Sequence, residues 1–513
     1  MISVSDAWKD IQQRFLLPET FVEIDCTISE VGAQESATAS GTNEESFSSV
    51  GGVLDATPKT VKYATLEHNL WALDGARTIL SASGSGADVG YVSNIESTGS
   101  ITLSLSEVRN VASSGVTITW SSMYGEYPRV FTVTAKNGNT VVAETTVTDN
   151  EDVVSAVFFD LVNYDSITVT VHSWDMPDRR VRIEKIVIGH VLTLTKSDIL
   201  SFTHEQSGDL LSGELPKYSI EFTLDNTDGR WNPHNPSGME RYLSERQKLD
   251  VRYGMDVNGA VEWIPGGTFY LSEWDAPANG MEARFVARDV LEFLISTDTN
   301  KLPNMSSTQY GNLANIVTWA TFTQIPPGAS VVMDSVLRNT VGRQYGADGT
   351  YAEMVQKCAN AACCVLRYGR DGVLYIEPLN KTLTQYTITQ ALSYSHPEMR
   401  LSKPLGQVVV DYGGESPYSL TVADEGEKQT VTNSYIYNES SAVTVAEWVS
   451  DILQSRKTVS GEFRADPRLD LYDVVTVESK YGRITPVVIT NIKYTFNGSF
   501  RGTYTGRVLE GEQ

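Results

Sequence analysis

The sequence predicts a mainly β protein with smaller α/β parts, and three observations predict it. Short runs alternate apolar and polar residues, as in SITLSL (100–105), GVTITW (115–120), RVFTVTA (129–135) and SITVTVHSW (166–174); a period of two is that of strands with one buried face. Turn chemistry separates them, with the Asn-Gly pair of KNGN (136–139) and the NYD of 163–165 between successive runs. Helical spacing of three and four appears only in pieces.

Taken along the chain, VSDAWKDIQQRF (4–15) has helical spacing and FVEIDCTIS (21–29) reads as a strand. Residues 30–59 are rich in Ser, Gly, Thr and Ala and poor in apolar residues, the composition of a linker. From 60 to 190 nearly every run is strand-like, which predicts an independent antiparallel β-sandwich. After 190 the pattern of strand, loop and strand resumes as though continuing from residue 29, so residues 30–190 read as an insertion into a hairpin of a host domain. Helical pieces follow at 287–296, 310–322, 350–369 and 444–457. In the third, Met354, Val355, Cys358, Ala361, Ala362 and Val365 form a stripe that a helix would bury. The Asp-Gly turn and strand of 370–379 then make residues 300–400 a small mixed α/β domain.

Composition narrows the function. At 513 residues the chain is too long for one core. Its 41% hydrophobic and 20% charged content is that of a globular protein. With 64 acidic against 40 basic residues the net charge is −24, which repels nucleic acid and anionic membranes in the absence of a basic run. The first ten residues lack a basic stretch with an apolar segment behind it, so no secretory signal is expected. No window of 18 apolar residues implies a membrane span. Four cysteines, three bunched at Cys358, Cys363 and Cys364, make no disulfide framework; lacking a second CxxC pair or a neighbouring His, they read as buried free thiols of a protein made in a reducing cytoplasm.

Catalytic signatures are missing. HEQSG (204–208) begins like a zincin helix but lacks its second histidine. There is no GxSxG elbow and no Walker A loop. FTLDNTDGRWNPHNPSG (222–238) looks like a metal loop, yet an EF-hand with Gly229 sixth would put Leu224 first and Asn235 last, where acidic ligands are required. It reads instead as a structural corner: Asp225 and Asp228 bond their own backbone, Gly229 takes a positive φ and Trp231 packs as an anchor.

Three stretches, 192–233, 251–275 and 461–507, resemble in phrase order and strand pattern the tail hub proteins of phages and prophages, including the hub part of tail-associated lysins. The resemblance implies two tube-like β-barrel domains, residues 1–29 plus 191–299 and residues 401–513, with 300–400 an accessory domain. It further implies a homotrimer closing the tail tube, with distal tail ring, tail-tube and tape-measure proteins as partners and DNA only in transit. The location implied is the virion tail tip, assembled in the host cytoplasm. Many such hubs continue into a fibre or a peptidoglycan-cleaving domain; this chain stops at Gln513, and no enzymatic role is expected.

Residues 60–190 resemble galactose-binding-like jelly rolls of carbohydrate-binding modules, on ATLEHNLWALDG (64–75) and residues 159–189. That likeness implies contact with host cell-surface saccharide. A sugar site needs an exposed aromatic face and convergent polar groups. Trp120, Tyr124 and Tyr127 form one candidate group, and Trp174, Arg179 and Arg180 a second. Against this stands the reading that Trp71, Trp120 and Trp174 fill the core. No cofactor is expected; a structural calcium in this module stays open, with no ligands assigned. The competing classes are a saccharide-degrading enzyme with a binding module, which needs two suitably spaced carboxylates, and a secreted adhesin.

Overall fold

The computed structural model describes residues 1–14, 18–28, 33–42, 50–54, 63–64, 78–79, 90–110, 113–122, 124–235, 238–275, 280–295, 311–322, 324–326, 329–342 and 349–509. The protein is mainly β with smaller α parts. It divides into two compact units: Met1–Ile24 with Leu194–Gly229 and Leu249–Gln513, and Asp25–Thr193 with Arg230–Lys248.

The first unit carries most of a thirteen-stranded sheet. Its path runs His190–Leu194, Thr20–Ile28, Lys248–Val257, Ala260–Asp275, Glu282–Arg288, Lys217–Asp225, Ile199–Ser207, Ile484–Phe496, Phe500–Val508, Lys457–Phe463 and Glu398–Leu401. Val474–Glu478 branches from Ile484–Phe496 and pairs in turn with Leu383–Ile388. Alternation is strict where one face is buried: Tyr218, Ile220, Phe222 and Leu224 point inward while their neighbours do not.

Two separate closed barrels are not what the ladders form. Ile199–Ser207, expected in the first barrel, pairs antiparallel with Ile484–Phe496, expected in the second, from Phe202 opposite Phe496 to Ser207 opposite Asn491. No barrel closes among the described residues. An edge strand left open would expose unpaired backbone groups, and mutual pairing removes that exposure for both segments.

Around the sheet lie two small α/β pieces. In one, Ser330–Met333 runs parallel to Val373–Glu377, which is antiparallel to Val365–Tyr368. Its helix Tyr351–Ala361 opens on a capping box, with Thr350 Oγ1 accepting from Glu353 N and the Glu353 carboxylate accepting from Thr350 N. The stripe Met354, Val355, Cys358, Ala361 and Ala362 is buried. The helix is shorter than its 350–369 periodicity suggests, because Cys363 takes a φ of +55° and Val365–Tyr368 is a strand. The second piece, Leu405–Asp411 flanked by Tyr418–Thr421 and Glu427–Thr432 with helix Glu439–Leu453, lies inside the segment expected to be barrel. Conversely, Leu383–Ile388 and Glu398–Leu401, inside the expected accessory segment, belong to the large sheet.

The second unit is an antiparallel sandwich. A five-stranded sheet, Thr38–Gly41, Gly99–Arg109, Tyr164–Trp174, Pro128–Asn137 and Thr140–Val147, faces Val154–Leu161, Ser113–Thr119 and Lys185–Ile188, and Arg180–Ile183 pairs with Tyr91–Glu96. Ile101, Leu103, Val116, Ile118, Phe131, Val133, Ile167, Val169, Ile183 and Ile186 fill the space between. Gly115 sits at a φ of +126°, where a Cβ would lie 2.0 Å from the Val157 carbonyl oxygen, so the two strands approach there only because the side chain is missing.

Part of the expected linker is sandwich. Thr38–Gly41 pairs with Gly99–Arg109, and Ala33, Val50 and Val53 are in the core. Gln34 explains why: its Nε2 donates to Ile186 O at 2.8 Å and its Oε1 accepts from Ile188 N at 2.9 Å. One amide thereby supplies an edge strand with the partners it lacks.

Candidate functional site

The aromatic residues singled out in the sequence converge at one end of the sandwich, on the segments 120–127 and 174–182. The first is a hairpin tip closed by Ser121 and Glu126, whose backbones exchange two hydrogen bonds. The second follows the strand Tyr164–Trp174.

Trp120 and Trp174 are internal. Trp120 is fully buried, donates its indole N–H to Ser155 Oγ at 2.7 Å and stands edge-on to Phe131 and Trp174. Trp174 is 6% exposed and donates to Glu126 Oε2 at 3.0 Å. Neither offers a ring face to a sugar, which corrects their candidacy as stacking platforms. For Trp120 the signal was legible, since Val116, Ile118 and Trp120 share the inward phase of one strand. For Trp174 it was not: Ile167, Val169 and Val171 point inward, so a period of two sends residue 174 outward. Register shifts between Val171 and Ser173 and again between Ser173 and Trp174 turn it in.

Glu126 is the centre of this end. It is 5% exposed, and its second carboxylate oxygen is bonded by Arg179, itself 3% exposed. A charge pair this deep persists because both partners are bonded, and removing either would strand the other. Arg179, a candidate saccharide ligand, is thus largely committed to Glu126. Arg180 donates to Ser93 O at 2.9 Å. Asp175 accepts from Tyr127 N at 3.3 Å; burial pushes its carboxyl up, the Tyr127 amide opposes this and the charge of Glu126 reinforces it.

Tyr124 and Tyr127 remain half-buried. The guanidinium carbons of Arg179 and Arg182 lie 5.1 and 5.4 Å from the Tyr124 ring, and that of Arg129 lies 5.4 Å from the Tyr127 ring. Two cations against one phenol polarise it and hold it in place. Chemically, this end can offer a fixed aromatic edge with polar neighbours. Trp71 lies outside the described residues.

The corner at 222–238 carries the chain from one unit to the other. Asp225 Oδ1 accepts from Thr227 N at 3.0 Å, Gly229 N donates to Asn226 O at 2.9 Å, Gly229 has a φ of +68°, and Asp228 sits in the same turn. Trp231, 1% exposed, falls with Arg230–Lys248 in the sandwich unit, not in the sheet unit that the sequence suggested. Among the described residues no group of three or more His, Cys, Asp or Glu is placed to hold a metal. His204 of HEQSG is a core residue, its Nδ1 2.6 Å from Tyr253 Oη; burial first, and then Arg370, hold its pKa well below the ordinary value. Among the described residues no helix is long and apolar enough to cross a membrane.

No family matches the chain by sequence, and no curated protein matches it. Among solved structures it is similar to the 43 kDa tail protein of prophage MuSo2 from Shewanella oneidensis, at 13% identity over 62% of this chain and 94% of that one, TM-score 0.42. It is also similar to an E. coli component of the type VI secretion system described as resembling the T4 bacteriophage tail proteins gp27 and gp5, at 12% identity over 61% of this chain and 74% of that one, TM-score 0.34. A family 32 carbohydrate-binding module from C. perfringens NanJ, solved with galactose, matches 33% of this chain over 99% of its own length, at 17% identity and TM-score 0.21.

Proposed function

We propose that this chain is a structural hub at the tip of a phage or phage-like tail, closing the tail tube as a homotrimer and presenting its sandwich to host cell-surface saccharide. The observation that carries the reading is the interleaved sheet. Strands from residues 20–28, 199–288 and 457–508 share one ladder in the stretches whose phrases resemble tail hubs, and the sandwich interrupts that ladder as an insertion. Such interleaving ties the segments into one hydrogen-bonded sheet, which on this reading forms the wall. The wall also ends in an unfinished edge: Glu398–Leu401 is exposed at every position, with Met399 54% and Leu401 63% exposed. Edges of this kind are covered by symmetric assembly.

On this reading the partners are distal tail ring, tail-tube and tape-measure proteins, the net negative charge of the chain lets DNA pass without holding it, and the chain does no chemistry. Sedimentation with recombinant tail-tube protein tests it. A trimer that co-sediments with tube protein is expected, and a strict monomer with no tube affinity would overturn it.

Tyr124, Tyr127 and Arg180 are the candidate saccharide ligands left half-exposed, and the two tyrosines are the ones with rings to offer. Replacing both tyrosines with alanine should weaken binding of the protein to host cells about fivefold or more, since each ring removed costs about 0.5–1.5 kcal/mol. Unchanged binding of the folded double variant would remove this end of the sandwich from consideration.

A further inference from the structure

The hairpin joining Val474–Glu478 to Ile484–Phe496 ends in Ser479-Lys480-Tyr481-Gly482-Arg483. Tyr481 is 89% exposed, the most exposed of the large apolar residues in the described chain, and Ile484 beside it is 58% exposed. The tip carries two cations and no carboxylate in a chain of net charge −24. It is also braced. Ser479 N donates to Arg483 O at 2.8 Å, Gly482 N to Ser479 O at 2.9 Å and Arg483 N to Ser479 Oγ at 3.1 Å. At the base, Gln390 bonds Glu478 through its backbone and side-chain nitrogens and reaches Ser479 O at 2.9 Å. A fixed tyrosine flanked by cations is the composition of a protein–protein anchor, since little conformational entropy is lost when it docks.

A receptacle of matching chemistry lies elsewhere in the same unit. Glu19, Phe21, Val22, Glu23, Thr195, Lys196 and Ser197 line a cavity of about 500 Å³. Phe21, half-buried, supplies its apolar side chain, while that of Val22 is turned to the core. The carboxylates of Glu19 and Glu23 stand at it, paired at present with Lys196 and Arg252. Glu19 and Lys196 are 54% and 44% exposed, so that pair is screened and open to a competing cation.

Tip and cavity cannot meet within one molecule. Phe202 pairs with Phe496, so Ser197 lies beyond the Phe496 end of Ile484–Phe496, whereas the tip lies beyond its Ile484 end; the strand between them spans roughly 40 Å at ~3.3 Å per residue, and the braced hairpin does not fold back over that span. We propose that the Tyr481 tip of one copy docks in the Glu19–Phe21–Ser197 cavity of the next, with Lys480 and Arg483 facing Glu19 and Glu23. The contact is head-to-tail, and copies joined this way close into a ring or extend into a filament. It rests on the hub reading and names the surface through which that assembly forms.

Two measurements test it. Sedimentation velocity compares the wild type with Tyr481→Ala and with Lys480→Glu plus Arg483→Glu, all surface changes that leave the core untouched. Both variants should need at least tenfold more protein to assemble. In the second, Tyr481→Cys and Ser197→Cys proteins are mixed under oxidising conditions; a disulfide-linked heterodimer is expected from the mixture and none from Ser197→Cys alone. If the wild type assembles while the variants assemble equally well and the mixture stays unlinked, the tip-in-cavity contact is overturned and the hub reading stands. A wild type that is monomeric at every concentration overturns both.

Discussion

Arg370→Met should destabilise the sheet unit by about 3–5 kcal/mol, the range for breaking a buried charged network from one side. Arg370 is 7% exposed. Its guanidinium donates to the carbonyls of Pro467 and Leu469, reaches Pro265 O at 3.4 Å and lies 3.8 Å from the Asp470 carboxylate. The rings of Tyr253 and Tyr494 flank it at 5.7 and 5.8 Å. One side chain thus ties the turn after Val365–Tyr368 to the loop 464–473 and to strand Ala260–Asp275, three segments distant in sequence. Methionine matches the stem and supplies no donor, so the Pro467 carbonyl loses its Arg370 partner while Leu469 O keeps only the Tyr494 hydroxyl, at 2.8 Å. Chemical denaturation should show the effect as a lower midpoint for the transition that includes the large sheet. A shift worth under 1 kcal/mol would mean that water replaces the guanidinium.

The second large effect is a pH dependence centred on Asp289. Its carboxyl is 3% exposed and accepts from Leu291 N at 2.7 Å and Tyr218 N at 3.2 Å, tying the strand Lys217–Asp225 to the helix Leu291–Ile295. Burial pushes its pKa up to about 7 despite those two amides. The folded state therefore holds a proton that the unfolded chain, near the ordinary 3.8, has released. The contribution is fully present below about pH 4 and is lost as pH rises through about 7, with an upper bound of roughly 4 kcal/mol. Asp289→Asn removes the titration. Its Oδ1 still accepts from Leu291 N, while its amide meets the Tyr218 N–H donor to donor, a pH-independent cost of about 1–3 kcal/mol. Stability measured from pH 4 to pH 8 should fall more steeply in the wild type than in the variant; parallel profiles would mean that Asp289 does not titrate in this window.

Much of the secondary structure was legible because it is written in local periodicity. Alternation in SITLSL, GVTITW and RVFTVTA corresponds to the strands Gly99–Arg109, Ser113–Thr119 and Pro128–Asn137. The stripe Met354, Val355, Cys358 and Ala361 corresponds to the buried face of Tyr351–Ala361. The corner at Asp225–Gly229 was legible for the same reason, since turn chemistry is local. Boundaries that depend on a single backbone angle were not, and Cys363 at a positive φ ends a helix that its flanking residues would have continued.

The candidate site was legible only in outline. Sequence singles out Trp120, Tyr124, Tyr127, Trp174, Arg179 and Arg180 but does not say which rings face outward. That depends on two register shifts before Trp174 and on Glu126, which takes the Trp174 N–H and Arg179 together. Nothing in the run MYGEYP marks its glutamate as a core residue. It is buried because two donors some fifty residues away, one at the end of a strand and one in the loop after it, close over it.

By itself, then, the sequence determined the mainly β class, the runs that become strands and the acidic charge. All of these follow from composition and from patterns within about ten residues. Tertiary structure alone decided that the outer segments share one ladder instead of closing two barrels, that Gln34 and Thr38–Gly41 belong to the sandwich, and that the Tyr481 tip stands apart from its own matching cavity. Those outcomes turn on pairing between segments roughly sixty to three hundred residues apart. Hydrogen bonds to the backbone carry no side-chain code, so only the assembled sheet determines which edge meets which.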